Sequence, residues 1–232
     1  MRRFEVEVVV QSSAVRRFTD AEYRACEVQV VEEVDDCDVL LGVKEVPIDA
    51  LIPSKTYLFF SHTIKRQPYN AKLLRAILDR HIRLIDYETM VDEHRKRIIG
   101  FGRYAGIVGT YEGFRAFGMK HQLYALKAPL DCHDREEMEL ELKQVVLPKN
   151  TRVVLTGFGR VGNGAAEMMQ LLPIRKVSES EFLNEQFDEP VYTHLDTAEY
   201  YAHQTKGTFD KQDFYSNPSH YNSTLEIGRA HV

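Results

Sequence analysis

A glycine-rich turn between an apolar strand and a helix-forming segment constrains the fold of this chain most strongly. Gly157, Gly159 and Gly162 match the pattern G-x-G-x-x-G, with the apolar run Val153–Leu155 before them and the helix-forming run Ala165–Met169 after them. A dinucleotide-binding fingerprint requires this setting, because its glycines allow a tight turn, close approach of a pyrophosphate and close helix packing. A plain strand-to-helix turn is the alternative. The predicted cofactor-binding residues are Gly157, Gly159, Arg160, Val161 and Gly162.

The predicted cofactor is NAD or NADP, and the residues after the fingerprint leave that choice open. A second strand is predicted at about residues 174–178, which would place Glu179 or Glu181 near the ribose. Arg175 and Lys176 are also close in sequence and would favour a 2′-phosphate instead.

Strand and helix patterns alternate along the first half of the chain, which is typical of βαβ units. The continuous apolar run Cys37–Val43 predicts a buried strand, and Thr56–Ser61 repeats the pattern. Thr19 offers an N-cap for a helix over residues 20–26, and apolar residues within Leu73–Leu78 share a helical face. We therefore predict an α/β fold with two Rossmann-like lobes and mostly parallel sheets, the second lobe being incomplete. Further strands are predicted at Phe4–Val10, Val28–Val31, Ile82–Ile85 and Arg152–Thr156.

A stripe of glycines predicts a tightly packed helix. Gly102, Gly106, Gly109 and Gly113 recur at spacings that stack them on one helical face. Each interior glycine costs about 1 kcal/mol relative to alanine, so we expect another backbone to approach the stripe closely. This helix would join the two lobes. The predicted regions are a substrate lobe at residues 1–120, a partial dinucleotide-binding lobe at 121–225 and a non-native tail at 226–232, whose residues match an in-frame sequencing adapter.

Composition argues against several functional classes. The 30 Lys and Arg against 35 Asp and Glu give a net charge of −5, which does not suit a nucleic-acid binder. The chain has no apolar run of about 18 residues, so we predict no membrane span. Its 3 cysteines form no CxxC pair, so neither a disulfide framework nor a metal site is expected and the cytoplasm fits best. The oligomeric state stays open.

Polar side chains follow three of the predicted strands of the first lobe. Ligands bind beyond the carboxyl ends of strands in open α/β sheets, and a lysine and a histidine there can share acid–base work. Taken singly, each of these residues is more often a surface charge or a structural histidine. The prediction therefore depends on their convergence. The residues are Lys44 and Glu45, His62 and Lys65, and Glu88 and Arg97.

The segments around these residues resemble a known family. LGVKEVP, FFSHTIKRQPYN, LIDYE and RIIGFGRYAGIVG, together with the fingerprint, are similar to the saccharopine dehydrogenase and lysine–ketoglutarate reductase group of the alanine dehydrogenase/transhydrogenase superfamily. The resemblance covers nearly all of residues 4–225. It implies acid–base catalysis by Lys44 and His62, binding of substrate carboxylates by Lys65 and Arg97, and modulation of the pocket's charge by Glu45 and Glu88.

The resemblance also implies a reaction: hydride transfer between NAD(P) and the C–N bond that links lysine to 2-oxoglutarate. Its partners would be small molecules, an amino acid and a 2-oxo acid. The alternatives are an alanine dehydrogenase-like amino-acid oxidoreductase and a non-catalytic dinucleotide-binding fragment. Members of the family begin with a further strand and an arginine-bearing loop, and they continue through more of the nucleotide-binding sheet. We therefore expect a fragment truncated at both ends, with the activity in the parent protein.

Overall fold

The computed structural model describes residues 6–224, which form two compact units divided between Gly100 and Phe101. The predicted tail at residues 226–232 and the start of the predicted strand Phe4–Val10 lie outside the described residues. Each unit combines helices with a parallel three-stranded sheet, which confirms the predicted α/β fold class with mostly parallel sheets.

The first unit follows the predicted alternation of strands and helices. Its elements are β1 (Val9–Gln11), α1 (Asp20–Ala25), β2 (Gln29–Val31), β3 (Val39–Lys44), β4 (Thr56–Phe60), α2 (Ala71–Asp79) and β5 (Arg83–Asp86). Strands β1 and β2 form a parallel pair, and β4 is the central strand of the parallel sheet β3–β4–β5. Helix α1 begins as predicted, because Thr19 and Glu22 form a reciprocal capping box.

The core of the first unit lies on one face of the β3–β4–β5 sheet. Leu73 and Ile77 of α2 pack there with Phe59 of β4. The opposite face departs from the prediction of a buried strand, because Leu41 is 71% exposed and Val43 is 56% exposed. The prediction is wrong for these two residues of β3, whose side chains stay exposed within residues 6–224. The apolar run reflects strand propensity on both faces but burial on only one.

The second unit contains the fingerprint. Its elements are α3 (Gly102–His121), α4 (Arg135–Glu141), β6 (Arg152–Thr156), α5 (Arg160–Met169), β7 (Arg175–Lys176), α6 (Glu179–Asn184), β8 (Val191–Leu195), α7 (Thr197–Tyr200), β9 (Tyr201–His203), α8 (Lys211–Ser216) and β10 (Tyr221–Ser223). The sheet order is β6–β8–β7 with all pairs parallel, whereas β9 and β10 form an antiparallel pair.

Helices α3 and α5 pack through glycines at backbone contact distance. A Cβ atom on Gly106 would lie 1.9 Å from the carbonyl oxygen of Val161. On the facing helix, a Cβ atom on Gly164 would lie 2.0 Å from the carbonyl oxygen of Arg103. The predicted close backbone approach is therefore confirmed for the first half of the glycine stripe.

The second half of the stripe behaves differently. A Cβ atom on Gly109 or Gly113 would meet no described atom within 4 Å, so close packing does not explain these two glycines. The packing on α5 also assigns α3 to the second unit, beginning at Phe101. The sequence had placed the boundary near residue 120, at the other end of the same helix.

Candidate functional site

A buried aspartate joins the carboxyl ends of β4 and β5. Phe59 and Asp86 are partners in the register of these parallel strands, so the residues that follow them leave the sheet side by side. The hydroxyl of Ser61 donates to Oδ2 of Asp86, and the backbone N–H of Glu88 donates to Oδ1 at 2.9 Å. Ser61 and Asp86 are both buried. Asp86 thereby fixes Ser61, which precedes His62, and the backbone of Glu88, although Asp86 was not itself a predicted site residue.

His62 is held in an unusual backbone conformation directly after β4. Its φ of 57° is left-handed, a region that residues other than glycine adopt mainly where the surroundings enforce it. The side-chain amide of Asn70 donates to the carbonyl oxygen of His62 at 3.2 Å, and the ring of Phe60 stacks on the imidazole. Tyr87 packs edge-on against Phe60, and burial raises the pKa of its hydroxyl. The position of the imidazole is thus set from several sides.

The carboxylate of Glu88 collects three basic side chains. It is only 6% exposed, and its Oε2 lies 3.0 Å from Nδ1 of His62. Its Oε1 lies 3.4 Å from Nζ of Lys65 and 3.6 Å from Nη2 of Arg97. A buried carboxylate is costly unless basic groups surround it, so these contacts stabilise the arrangement. The structure therefore brings together four of the six residues that the sequence predicted for this site.

Two neighbours, Glu88 and Lys65, compete for the Nδ1 atom of His62. A carboxylate accepts, so the 3.0 Å contact requires a proton on Nδ1. In the neutral ring, Nε2 then carries the lone pair and can act as a base. Nζ of Lys65 also lies 3.0 Å from Nδ1, and its ammonium can donate there only when Nδ1 is unprotonated. Glu88 and Lys65 therefore favour opposite tautomers of His62.

Lys44 and Glu45 lie outside this network. Lys44 is paired with Phe60 in the β3–β4 register, so it ends the strand next to the one that leads to His62. Both side chains are exposed and take part in no hydrogen bond or ion pair with other residues of the described range. The structure thus places Lys44 at the predicted edge of the sheet without a contact to the other member of the predicted acid–base pair.

The fingerprint forms a tight turn between β6 and α5. Gly157 has a φ of +85°, and a Cβ atom on Gly162 would lie 1.8 Å from the carbonyl oxygen of Gly157. Gly159 is the N-cap of α5, and a Cβ atom there would meet no described atom within 4 Å. The N-terminus of α5, with the positive end of the helix dipole, therefore begins at a glycine that adds no side-chain bulk, a kind of place where proteins bind phosphate. Arg160 and Val161 are the first residues of this helix, and both are exposed.

His194 supports the first glycine of the fingerprint, and the sequence analysis did not predict this residue. Its Nε2–H donates to the carbonyl oxygen of Gly157 at 2.7 Å, and its ring stacks on Phe158 with the centroids 4.0 Å apart. Because 37 residues separate His194 from Gly157 in sequence, only the order of the strands in the sheet could have indicated this contact.

The acidic residues predicted near the ribose do not lie next to the fingerprint strand. Glu179 and Glu181 follow β7, and β8 separates β7 from β6. Oε2 of Glu181 instead accepts the backbone N–H of Ser178 at 2.7 Å and caps α6. The prediction assumed that the second strand in sequence is the neighbour of the first, and that strand order does not hold here. The placement of Glu179 or Glu181 near a ribose stays a prediction.

Taken together, the fold and these clusters define a class: an α/β protein with polar strand ends in one unit and a glycine fingerprint in the other. Residues 1–108 match the family described as alanine dehydrogenase/PNT, N-terminal domain. Over 93% of its length the chain is 30% identical to the alpha-aminoadipic semialdehyde synthase of Arabidopsis thaliana. Over 92% it is 32% identical to the mitochondrial alpha-aminoadipic semialdehyde synthase of Bos taurus.

Saccharopine dehydrogenases are also similar to the chain. The L-lysine-forming, NAD(+) enzyme of Yarrowia lipolytica is 27% identical over 72% of the chain and 50% of its own length. The resemblance stated from the sequence is therefore confirmed. The chain spans about a quarter of the semialdehyde synthases, 23% and 25% in the two cases above. A solved L-alanine dehydrogenase overlaps 78% of this chain and 50% of its own, with 17% identity and a TM-score of 0.48.

Within residues 6–224, none of the helices is both long enough and apolar enough to cross a bilayer.

Proposed function

We propose that this chain supplies the substrate site and the dinucleotide fingerprint of an NAD(P)-dependent oxidoreductase of the saccharopine dehydrogenase type. The Glu88 cluster carries the proposal, because it gathers His62, Lys65 and Arg97 at adjacent strand ends. The similarity to enzymes named saccharopine dehydrogenase supports the same assignment. The reaction would be reversible hydride transfer between NAD(P) and the C–N bond that joins lysine to 2-oxoglutarate, in the cytoplasm.

The residues at the strand ends can carry the proton chemistry of this reaction. The nicotinamide would supply the hydride step when bound. Oxidation of the secondary amine gives an imine, and water adds to its carbon as Nε2 of His62 takes a proton. Glu88, on the opposite nitrogen, stabilises the resulting imidazolium. Collapse of the carbinolamine then needs an acid to protonate the leaving amine, and Lys44 at the neighbouring strand end is the proposed second member of the pair.

The cations of the cluster match the charge of the proposed substrate. Lys65 is 47% exposed and Arg97 is 51% exposed, so both reach solvent while contacting Glu88. A substrate carboxylate can approach either cation from the solvent side, and Glu88 keeps the net charge of the empty site low. Two cations suit 2-oxoglutarate, which has two carboxylates, better than a monocarboxylic oxo acid.

An alanine dehydrogenase-like activity is the second candidate, and the family match of residues 1–108 favours it. A non-catalytic dinucleotide-binding role is the third. Oxidation of NADH and NADPH by the complete product of the gene separates them. Turnover with lysine plus 2-oxoglutarate supports the proposal, and turnover only with ammonia plus pyruvate supports the second candidate. Dinucleotide binding without turnover on either pair supports the third.

The acid–base roles are tested in the same assay. His62→Gln and Lys44→Met should each lower kcat by roughly 100-fold or more, the usual effect of losing a general acid or base. The thermal unfolding midpoint should barely change, because neither side chain is part of the core. Near-normal turnover in both variants would return these residues to structural or surface roles.

A further inference from the structure

Three consecutive backbone carbonyls of the fingerprint turn accept hydrogen bonds from donors of the protein itself. The carbonyl oxygen of Gly157 accepts from Nε2 of His194 at 2.7 Å. The carbonyl oxygen of Phe158 accepts from the side-chain amide of Asn163 at 3.3 Å. The carbonyl oxygen of Gly159 accepts the backbone N–H of Asn163 at 2.9 Å. The negative ends of these peptide groups are therefore directed at protein donors rather than at a ligand.

The peptide bond between Gly157 and Phe158 is the one most tightly held. Its carbonyl oxygen contacts the imidazole of His194, and a Cβ atom on Gly162 would lie only 1.8 Å from this oxygen. A trans peptide directs its N–H opposite to its C=O, so the hold on the oxygen also fixes the direction of the N–H of Phe158. Gly157 has a φ of +85° and the wide conformational freedom of glycine. Without the hydrogen bond from His194, this peptide could rotate more easily.

The orientation of these peptides matters for an anion, because N–H groups attract a phosphate and carbonyl oxygens repel it. The N-cap of α5, Gly159, supplies no side-chain hydrogen bond to the first turn of the helix. We propose that His194, with Asn163 at the neighbouring carbonyl, is a positioning residue that keeps the fingerprint turn in the conformation that accepts a diphosphate. The inference rests on the proposed function, because it presumes that the fingerprint binds the diphosphate of a dinucleotide.

Two contacts of His194 can be separated by substitution. A carbonyl oxygen only accepts, so Nε2 carries the proton in the bond to Gly157. The imidazole also stacks on the ring of Phe158, with the centroids 4.0 Å apart. His194→Phe keeps an aromatic ring but removes the donor. His194→Gln removes the ring but keeps a donor, because its amide nitrogen is the same number of bonds from Cα as Nε2 of histidine.

Fluorescence titration of the complete gene product with NADH, and displacement of NADH by ADP or adenosine, tests the proposal without requiring turnover. His194→Phe should weaken NADH and ADP by roughly three- to tenfold, the effect of one neutral hydrogen bond. Adenosine has no phosphate, so its displacement constant should stay within about twofold of that of the unaltered protein. His194→Gln should bind NADH and ADP as the unaltered protein does.

Asn163→Ala is a second variant that should fold, because Asn163 is an exposed residue of α5 and alanine favours a helix. It should weaken ADP relative to adenosine in the same direction as His194→Phe. An unchanged affinity for ADP in either variant would overturn the role of the residue replaced.

Two other outcomes would also overturn the positioning role. The first is an equal loss of ADP and adenosine in His194→Phe, which would indicate a general distortion of the site. The second is an equal loss of ADP in His194→Phe and His194→Gln, which would assign the effect to the imidazole ring rather than to the hydrogen bond. Failure of the unaltered protein to bind NADH or NADPH would instead overturn the proposed function itself.

Discussion

The contact between α3 and α5 makes a sharp prediction, because one added methyl group at Gly106 has nowhere to go. The Cβ of Gly106→Ala would lie 1.9 Å from the carbonyl oxygen of Val161 and 2.7 Å from the backbone nitrogen of Ala165. Both atoms belong to the backbone of α5, so neither can rotate away as a side chain could. The helices must separate, or α5 must shift along with the fingerprint at its N-terminus.

The magnitude follows from two opposing effects. Replacing a helical glycine by alanine gains about 1 kcal/mol of helix propensity. Overpacking costs about 1–3 kcal/mol, and a backbone clash belongs at the upper end of that range. We therefore expect Gly106→Ala to lower the free energy of unfolding by about 2 kcal/mol, which corresponds to a fall of about 4–8 °C in Tm for a chain of this size.

Thermal and urea unfolding followed by circular dichroism provide the assay, with Gly109→Ala as the matched control on the same helix. A Cβ atom on Gly109 meets no described atom within 4 Å, so this variant should gain the full propensity of about 1 kcal/mol and melt at a higher temperature. The two alanines should thus change stability in opposite directions. Equal stabilisation by both would refute the close packing of α3 on α5.

Two further predictions concern the substrate cluster and an ion pair of the second unit. Lys65→Met and Arg97→Met should each raise the KM for the oxo acid by roughly 10- to 150-fold. The control Lys72→Met, at an exposed lysine of α2, should leave this KM unchanged. KM values of the Lys65 and Arg97 variants within twofold of the unaltered protein would contradict carboxylate binding. A hydrogen bond from Arg103 holds the pKa of Glu167 below its usual value, so this pair stabilises the fold at neutral pH and the stabilisation is lost as the pH falls through that lowered pKa. Urea titrations below about pH 5 should show that the free energy of unfolding falls less with acid in Glu167→Gln than in the unaltered protein. The same pH dependence in both proteins would exclude a contribution of the Arg103–Glu167 pair to stability.

The local elements of the fold follow closely from the sequence because short-range chemistry determines them. Strand β6 has the predicted bounds, Arg152–Thr156, and α1 starts at the predicted Thr19 cap. Burial could not be predicted in the same way. The continuous apolar run around Leu41 predicts burial on both faces of β3, and only the tertiary structure shows that Leu41 and Val43 are exposed.

The candidate site shows the same division. Parallel strands that end in polar residues bring His62, Lys65 and Glu88 together, which sequence order alone could indicate. The contacts of Asp86 and His194 depend on which strands are neighbours, and sheet order is not encoded in local pattern. A spacing rule that assumes the usual strand order therefore cannot show which residues lie next to the fingerprint.

The central claim is that the cluster around Glu88 receives an oxo acid with two carboxylates, and direct binding tests it most simply. Isothermal titration of the complete gene product with 2-oxoglutarate and with pyruvate compares an oxo acid that has two carboxylates with one that has a single carboxylate. Because Lys65 and Arg97 both reach solvent at the cluster, we expect 2-oxoglutarate to bind at least roughly tenfold more tightly. Binding of pyruvate with equal or higher affinity would contradict the assignment.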